Sequence, residues 1–381
     1  MGDSNSRRLS REELVVAIGI SLFLLVLGNI LVRQRSMGNS FEPLMVRGDS
    51  NQYILMAEGK WSESDLPFKY RVLAPFVASL LPLSGADSLK IVTNVCLFLI
   101  YFLSFAILRQ MKITIQAAIG GVFMVWGAAW QLYYFHNPFL TDAALLLFIY
   151  LMFFAFLEDN FFLFLISAVL GVLSRETALF ALPLWLLKKR KAENVLLFIV
   201  VGLFFLIPRL LFTFDIHSPS LSGLLTVLAS RLDNIKSFTI DLYNSWGIIW
   251  IFSIVGLVQL EGNLYKPVRL FYFLLIAGAV CTSLIATDTG RMFSIMAPVM
   301  VTTCARMCMT VCCDGNILER ILLTLLIVIQ PLISFKYSIF AEYHFFIKNV
   351  SILFKIIFVF FLLVFVFNHA RTITQKFNNR I

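Results

Sequence analysis

The sequence predicts an all-α fold, a polytopic bundle of membrane-spanning helices with about 10–12 spans, two of them half-length. Three observations carry this expectation. Of 381 residues, 60% are apolar and only 14% are charged, and Phe alone occurs 39 times; soluble proteins average about 45–50% and about 25%. A water-soluble domain could not hide so much apolar surface, because its exterior must still be wetted. Apolar runs of span length recur along the whole chain, separated by short polar turns. Soluble enzyme folds are thereby excluded.

Arg7, Arg8 and Arg11 precede the first run, 14–32. It is long for a secretory leader and lacks a small-x-small cleavage site, so it reads as an uncleaved signal anchor with a cytoplasmic N-terminus. Residues 33–88 form a first outer loop carrying interfacial helices. Within it, 71–83 contains Pro75 and Pro82 and is either a span or a helix lying at the interface. Spans follow over 89–108, 113–135 and 139–157. Two shorter runs, 161–173 and 178–187, reach only about 20 and 15 Å of a ~30 Å hydrocarbon core. Ser174-Arg175-Glu176-Thr177 separates them. A charged break of this kind is tolerated only where it is buried in protein or lines a wet cavity.

Further spans are expected over 195–213, 246–260, 269–287, 292–312, 317–334 and 349–368, with a second outer loop at 214–245. The Lys188–Lys191 cluster beside short loops places that turn inside. The chain therefore reads as one integral-membrane domain, 1–381, without a separate soluble domain, in a bacterial inner membrane rather than an endoplasmic reticulum.

The excess of 31 Lys and Arg over 22 Asp and Glu is first a matter of topology and lipid headgroups, then of an anionic ligand. No basic stripe or binding module points to nucleic acid. The six cysteines lie in or beside apolar runs and suggest no disulfide framework. Cys304, Cys308 and Cys312 recur at spacing four, but no His or acid joins them, so packing explains them better than metal binding.

With this topology the unusual polar residues gather at the outer face. Asp49 opens Asp49-Ser50-Asn51-Gln52-Tyr53, with Tyr53 one helical turn on. Lys69 and Arg71 close the same loop region. His136-Asn137-Pro138 marks an outer turn, and Asp142 begins the next span. Arg175 and Glu176 sit in the helix break, and Asp288 and Arg291 lie between two later spans. Ionisable groups in or beside spans are expensive, and they mark ligand sites. Sugar transfer from a lipid phosphate suits these types. A carboxylate takes the proton of the acceptor hydroxyl, and cations or a divalent metal meet the leaving phosphate. Asp49 is placed for the first role; Arg175, Arg291, Lys69, Arg71 and His136 are available for the second, with Glu176 and Asp142 orienting them or holding a metal.

Several of these residues also have a structural reading, whereas a charged pair between half-helices, Arg175-Glu176, has few structural uses. Asp49 could cap a helix, Lys69 and Arg71 could snorkel to headgroups, and Asp288 and Arg291 could form an i,i+3 pair. His136-Asn137-Pro138 is an ordinary turn sequence.

The order of these features resembles polyprenyl-phosphate-dependent glycosyltransferases of the GT-C superfamily. Asp49-Ser50-Asn51-Gln52-Tyr53 and Tyr70-Arg71-Val72-Leu73-Ala74-Pro75 look like the D-x3-Y and Y-R-x-L-x-P patterns of polysaccharide-type members. Ser174-Arg175-Glu176-Thr177 and Asp288-x2-Arg291 resemble later signatures of the same group. The resemblance implies that Asp49 is catalytic and that Tyr53, Lys69, Arg71, His136, Asp142, Arg175, Glu176, Asp288 and Arg291 line the substrate site. It implies a polyprenyl-phosphate-linked sugar as donor and a glycan, lipid or protein as acceptor. Many members carry two adjacent acids in this loop, whereas Ser50 follows Asp49 here, so no cofactor is assigned and a divalent metal stays open. The alternatives are a transporter or flippase lined by the same residues, or a lipid-linked glycan polymerase or ligase.

Overall fold

Ser10 starts the first helix by a reciprocal cap. Its hydroxyl accepts from the Glu13 amide at 3.2 Å, and the Glu13 carboxylate accepts from the Ser10 amide at 2.9 Å. The computed structural model describes residues 9–32, 49–65, 68–212, 245–247, 249–260, 266–285, 292–333, 353, 356–366 and 368. These residues are helical, 86% by content and without a strand, which fixes the fold class as all-α.

In chain order the helices are α1 (Arg11–Leu31), α2 (Asp49–Ala57), α3 (Leu73–Ser79), α4 (Gly85–Gln110), α5 (Ile115–Trp126), α6 (Ala129–His136), α7 (Asp142–Leu157) and α8 (Phe161–Ser174). Then come α9 (Pro183–Leu186), α10 (Lys191–Phe212), α11 (Ile249–Gln259), α12 (Lys266–Ile285), α13 (Ala297–Asp314), α14 (Ile317–Ile333) and α15 (Ile356–Val366). Four helical runs are long and apolar enough to cross a membrane: α1, α4, α10 and Ser294–Asp314. Taking α5 and α6 as one bent span makes five. The remaining apolar helices are shorter, so among the described residues fewer full-length spans stand than the 10–12 read from the sequence.

Two differences have local causes. The run 113–135 bends by 63° between α5 and α6. Gly127 ends α5, and the chain is extended at Ala128 before α6 begins. The expected second half-helix, 178–187, is a 3-10 turn over Glu176–Ala181 followed by the four residues of α9. Arg175 is extended (φ −169°, ψ 141°), and Pro183, lacking an amide hydrogen, sits at the start of α9. The segment 71–83 contributes only α3, seven residues or about 10 Å. That is too short to cross.

Polar pairs separate the two ends of the bundle. At one end, Arg109 at the close of α4 donates to Glu13 at the start of α1 at 2.9 Å, both buried. Lys188 and Arg190 reach Asp159, in the α7–α8 turn, at 3.0 and 2.7 Å. Nearer the other end, Asn29 donates to Asn94 at 3.1 Å, and Thr93 donates to the Pro138 carbonyl at 2.7 Å. Helix α1 thus runs antiparallel to α4, and α7 antiparallel to α8.

Helix α13 is the core of the bundle. A Cβ on Gly121 of α5 would lie 2.5 Å from the Ala305 Cβ, and one on Gly256 of α11 would lie 1.8 Å from the Thr303 carbonyl oxygen. Backbones approach closely at both contacts, the mode by which small residues associate helices in lipid. Cys304 and Cys308 are fully buried in this packing, and a Cβ on Gly120 would meet the Cys308 sulfur at 3.3 Å. Cys304 and Cys308 of the stripe pack between helices.

Candidate functional site

Helix α2 opens at Asp49 and is held at three points. Ser50 Oγ donates to Asn137 Oδ1 at 2.9 Å, fastening its first turn to the α6–α7 turn. Gln52 clasps Asp65 by two bonds: its Nε2 donates to the Asp65 carboxylate at 3.1 Å, and its Oε1 accepts from the Asp65 amide at 2.7 Å. Tyr53 is fully buried, with the Phe68 ring set edge-on at 5.7 Å. Asp49 itself is half-buried, one turn (about 5.4 Å along the axis) before Tyr53.

Arg71 joins this helix to the break after α8. Its Nη1 donates to Tyr53 Oη at 2.8 Å. Its Nη2 and Nε donate to the two carboxylate oxygens of Glu176 at 2.8 and 3.4 Å, the two-pronged geometry that a guanidinium permits. Burial opposes the Arg71 charge, but Tyr53 and Glu176 outweigh it and raise its pKa above the ordinary value. Arg71 is buried while the Glu176 side chain keeps 36% of its surface exposed, so the pair reaches the surface on its acidic side. Lys69 is buried too, its ammonium donating to the Ser62 carbonyl at 3.4 Å. The expectation that Lys69 and Arg71 extend to headgroups gives way to this burial.

Arg175 pairs with Asp142, the first residue of α7, and both are buried. Its Nη2 contacts the Met292 sulfur at 3.6 Å. Arg175 Nε, Thr141 Oγ1 and Thr177 Oγ1 are buried, with no hydrogen-bond partner among the described residues. His136 is half-buried at the end of α6, its ring 6.2 Å from Tyr133. Asn137 Nδ2 donates to the Tyr133 hydroxyl at 3.2 Å.

The structure thus links Tyr53, Arg71 and Glu176 directly, and Arg175 with Asp142 through the adjoining backbone. It also sets Asp49 and His136 each one residue from the Ser50–Asn137 bond. Asp288 and Arg291 lie outside the described residues; the chain resumes at Met292, against Arg175. Sequence reasoning did not single out Asn137 as a partner of the loop, nor Arg209. The Arg209 guanidinium lies 4.8 Å from the Tyr70 ring centre and 3.6 Å from that of Phe205, with Nη1 donating to the Phe205 carbonyl at 2.8 Å. In sequence, a single Arg one turn before the end of a span looks like a snorkelling residue, which is why it carried no signal.

Among the described residues no group of three His, Cys, Asp or Glu side chains is placed to hold a metal ion. No family model, no curated protein and no solved structure matches the chain.

Proposed function

We propose that this chain is a GT-C-type membrane glycosyltransferase that moves a sugar from a polyprenyl-phosphate carrier to an acceptor on the non-cytoplasmic face of the membrane. The observation that carries the reading is the Tyr53–Arg71–Glu176 linkage. It docks the helix headed by a half-buried carboxylate onto a charged helix break, so that an acid and several cations from distant parts of the sequence share one end of the bundle. Asp49 accepts the proton of the acceptor hydroxyl as its oxygen forms the new bond to the anomeric carbon. The bond from that carbon to the phosphate oxygen breaks, and the carrier leaves with its negative charge. Arg71, Lys69, His136 and Arg291 supply positive potential to that phosphate. On sequence grounds Arg175 is, with Arg291, one of the cations available to the phosphate. Its pairing with buried Asp142 suits it better to hold the break in the shape that presents Glu176 to Arg71.

The test is incubation of purified protein, reconstituted in nanodiscs, with radiolabelled polyprenyl-phosphate sugars. Loss of sugar from the carrier, abolished by Asp49→Asn, is the expected result. An intact carrier across a panel of hexose and pentose conjugates and of glycan, lipid and peptide acceptors would sink the reading.

A further inference from the structure

The outer end of α10 carries a cation whose surroundings differ from those of every other guanidinium in the site. Arg71 and Arg175 are buried and each is matched by a carboxylate. Arg209 is half-buried, and no carboxylate pairs with it among the described residues. Among the described residues, only its Nη1 makes a hydrogen bond, to a carbonyl of its own helix. Its face is held by the Tyr70 ring, and Tyr70 adjoins Arg71. Around the Tyr70–Arg71 corner, therefore, two guanidiniums stand against the single Glu176 carboxylate among the described residues, an excess of one positive charge there.

The corner is fixed in place. Trp61 of the first outer loop stacks on Phe212 at the last turn of α10, with ring centres 6.5 Å apart and planes within 4°. One turn of the helix on either side of Arg209 is outward-facing and apolar: Leu206, Ile207, Leu210 and Leu211 are all exposed. A charged head beside a long apolar strip is the complement of an anionic lipid with a long hydrocarbon tail.

We infer that Arg209 is the residue that receives the phosphate of the polyprenyl carrier, with the isoprenoid tail leaving along the outward face of α10. This rests on the glycosyltransferase reading for the identity of the lipid. Nε and Nη2 make no hydrogen bond among the described residues and supply a two-pronged donor for phosphate oxygens, which a Lys ammonium cannot reproduce.

The experiment compares wild type, Arg209→Gln and Arg209→Lys in phosphatidylcholine nanodiscs. It measures binding of C55 polyprenyl phosphate, of C55 polyprenol with the same tail and no phosphate, and of phosphatidylglycerol. Thermal stability and donor turnover are measured on the same samples. Arg209→Gln should weaken polyprenyl phosphate about tenfold and leave polyprenol binding and melting temperature unchanged. Arg209→Lys should recover only part of the loss. Equal weakening of phosphatidylglycerol would make Arg209 a general headgroup anchor and overturn the inference. So would wild-type affinity for polyprenyl phosphate in Arg209→Gln. Phosphate-dependent binding through Arg209 without turnover by wild type would keep this site and remove the glycosyltransferase. Normal turnover in Arg209→Gln would do the reverse.

Discussion

Arg71 and Glu176 stand 105 residues apart in sequence and meet through two hydrogen bonds. Their contact fixes the segment before α3 to the break after α8, and the catalytic proposal depends on it. In a double-mutant cycle, Arg71→Ala and Glu176→Ala should show a coupling of about 0.5–3 kcal/mol in thermal or denaturant stability. Arg71→Lys keeps the charge but loses the fork to Glu176 and the bond to Tyr53, so turnover should fall well below wild type. Additive single effects would mean that the contact contributes nothing to the architecture.

Asp49→Asn separates a base from a helix cap. Asn retains size and capping ability but cannot take a proton at neutral pH. Turnover should drop by roughly 10²–10⁴-fold, with expression and carrier binding close to wild type. Near-normal turnover would remove Asp49 from the chemistry.

The Arg175–Asp142 pair should behave as a buried structural pair. Removing one partner strands a charge in the interior, at a cost of about 3–5 kcal/mol. Arg175→Ala and Asp142→Ala are each expected to lower the melting temperature sharply, whereas the double variant should recover part of the loss. A large loss of donor affinity in Arg175→Lys with unchanged melting would return Arg175 to direct phosphate contact.

Close approach of α5 to α13 gives a packing test. Gly121→Val would drive its Cβ into Ala305, 2.5 Å away, costing about 1–3 kcal/mol. At Gly202 nothing lies within 4 Å of an added Cβ, so Gly202→Ala should be neutral or mildly stabilising. Thermal unfolding of both in detergent is the measurement. Equal stability of the two variants would contradict the described crossing.

Topology is open to labelling. Ser62 and Ala192 are both exposed and lie at opposite ends of the bundle. With exposed Cys281 and Cys313 changed to Ser, a cysteine at Ser62 should react with an impermeant reagent added outside intact cells. One at Ala192 should react only after permeabilisation; labelling there from outside would invert the orientation.

How much of this was legible depended on whether a residue's cost shows in one dimension. Arg175 and Glu176 stood out because charges between two short apolar runs are expensive wherever the chain goes. Their partners did not: nothing in Tyr70-Arg71 announces Glu176, and nothing in the Asp142 helix start announces Arg175, since pairing is a property of the third dimension. The 63° bend after Trp126 was hidden for a different reason. Trp126, Gly127, Ala128 and Trp130 are all apolar or small, so a count of hydropathy runs through the corner without change. Cys304 and Cys308 are buried in helix packing, as spacing four on an apolar helix with no His or acid in the pattern suggests.

The separation of the ion pairs along the chain has a consequence for biogenesis. Glu13 and Arg109 lie 96 residues apart, and Arg71 waits a further 105 residues for Glu176. At translation rates of roughly 5–20 residues per second, each partner emerges about 5–20 s after the group it neutralises. During that interval an unmatched charge sits at each end of a nascent hydrophobic chain. The order of synthesis therefore closes the Glu13–Arg109 end of the bundle before the Arg71–Glu176 end.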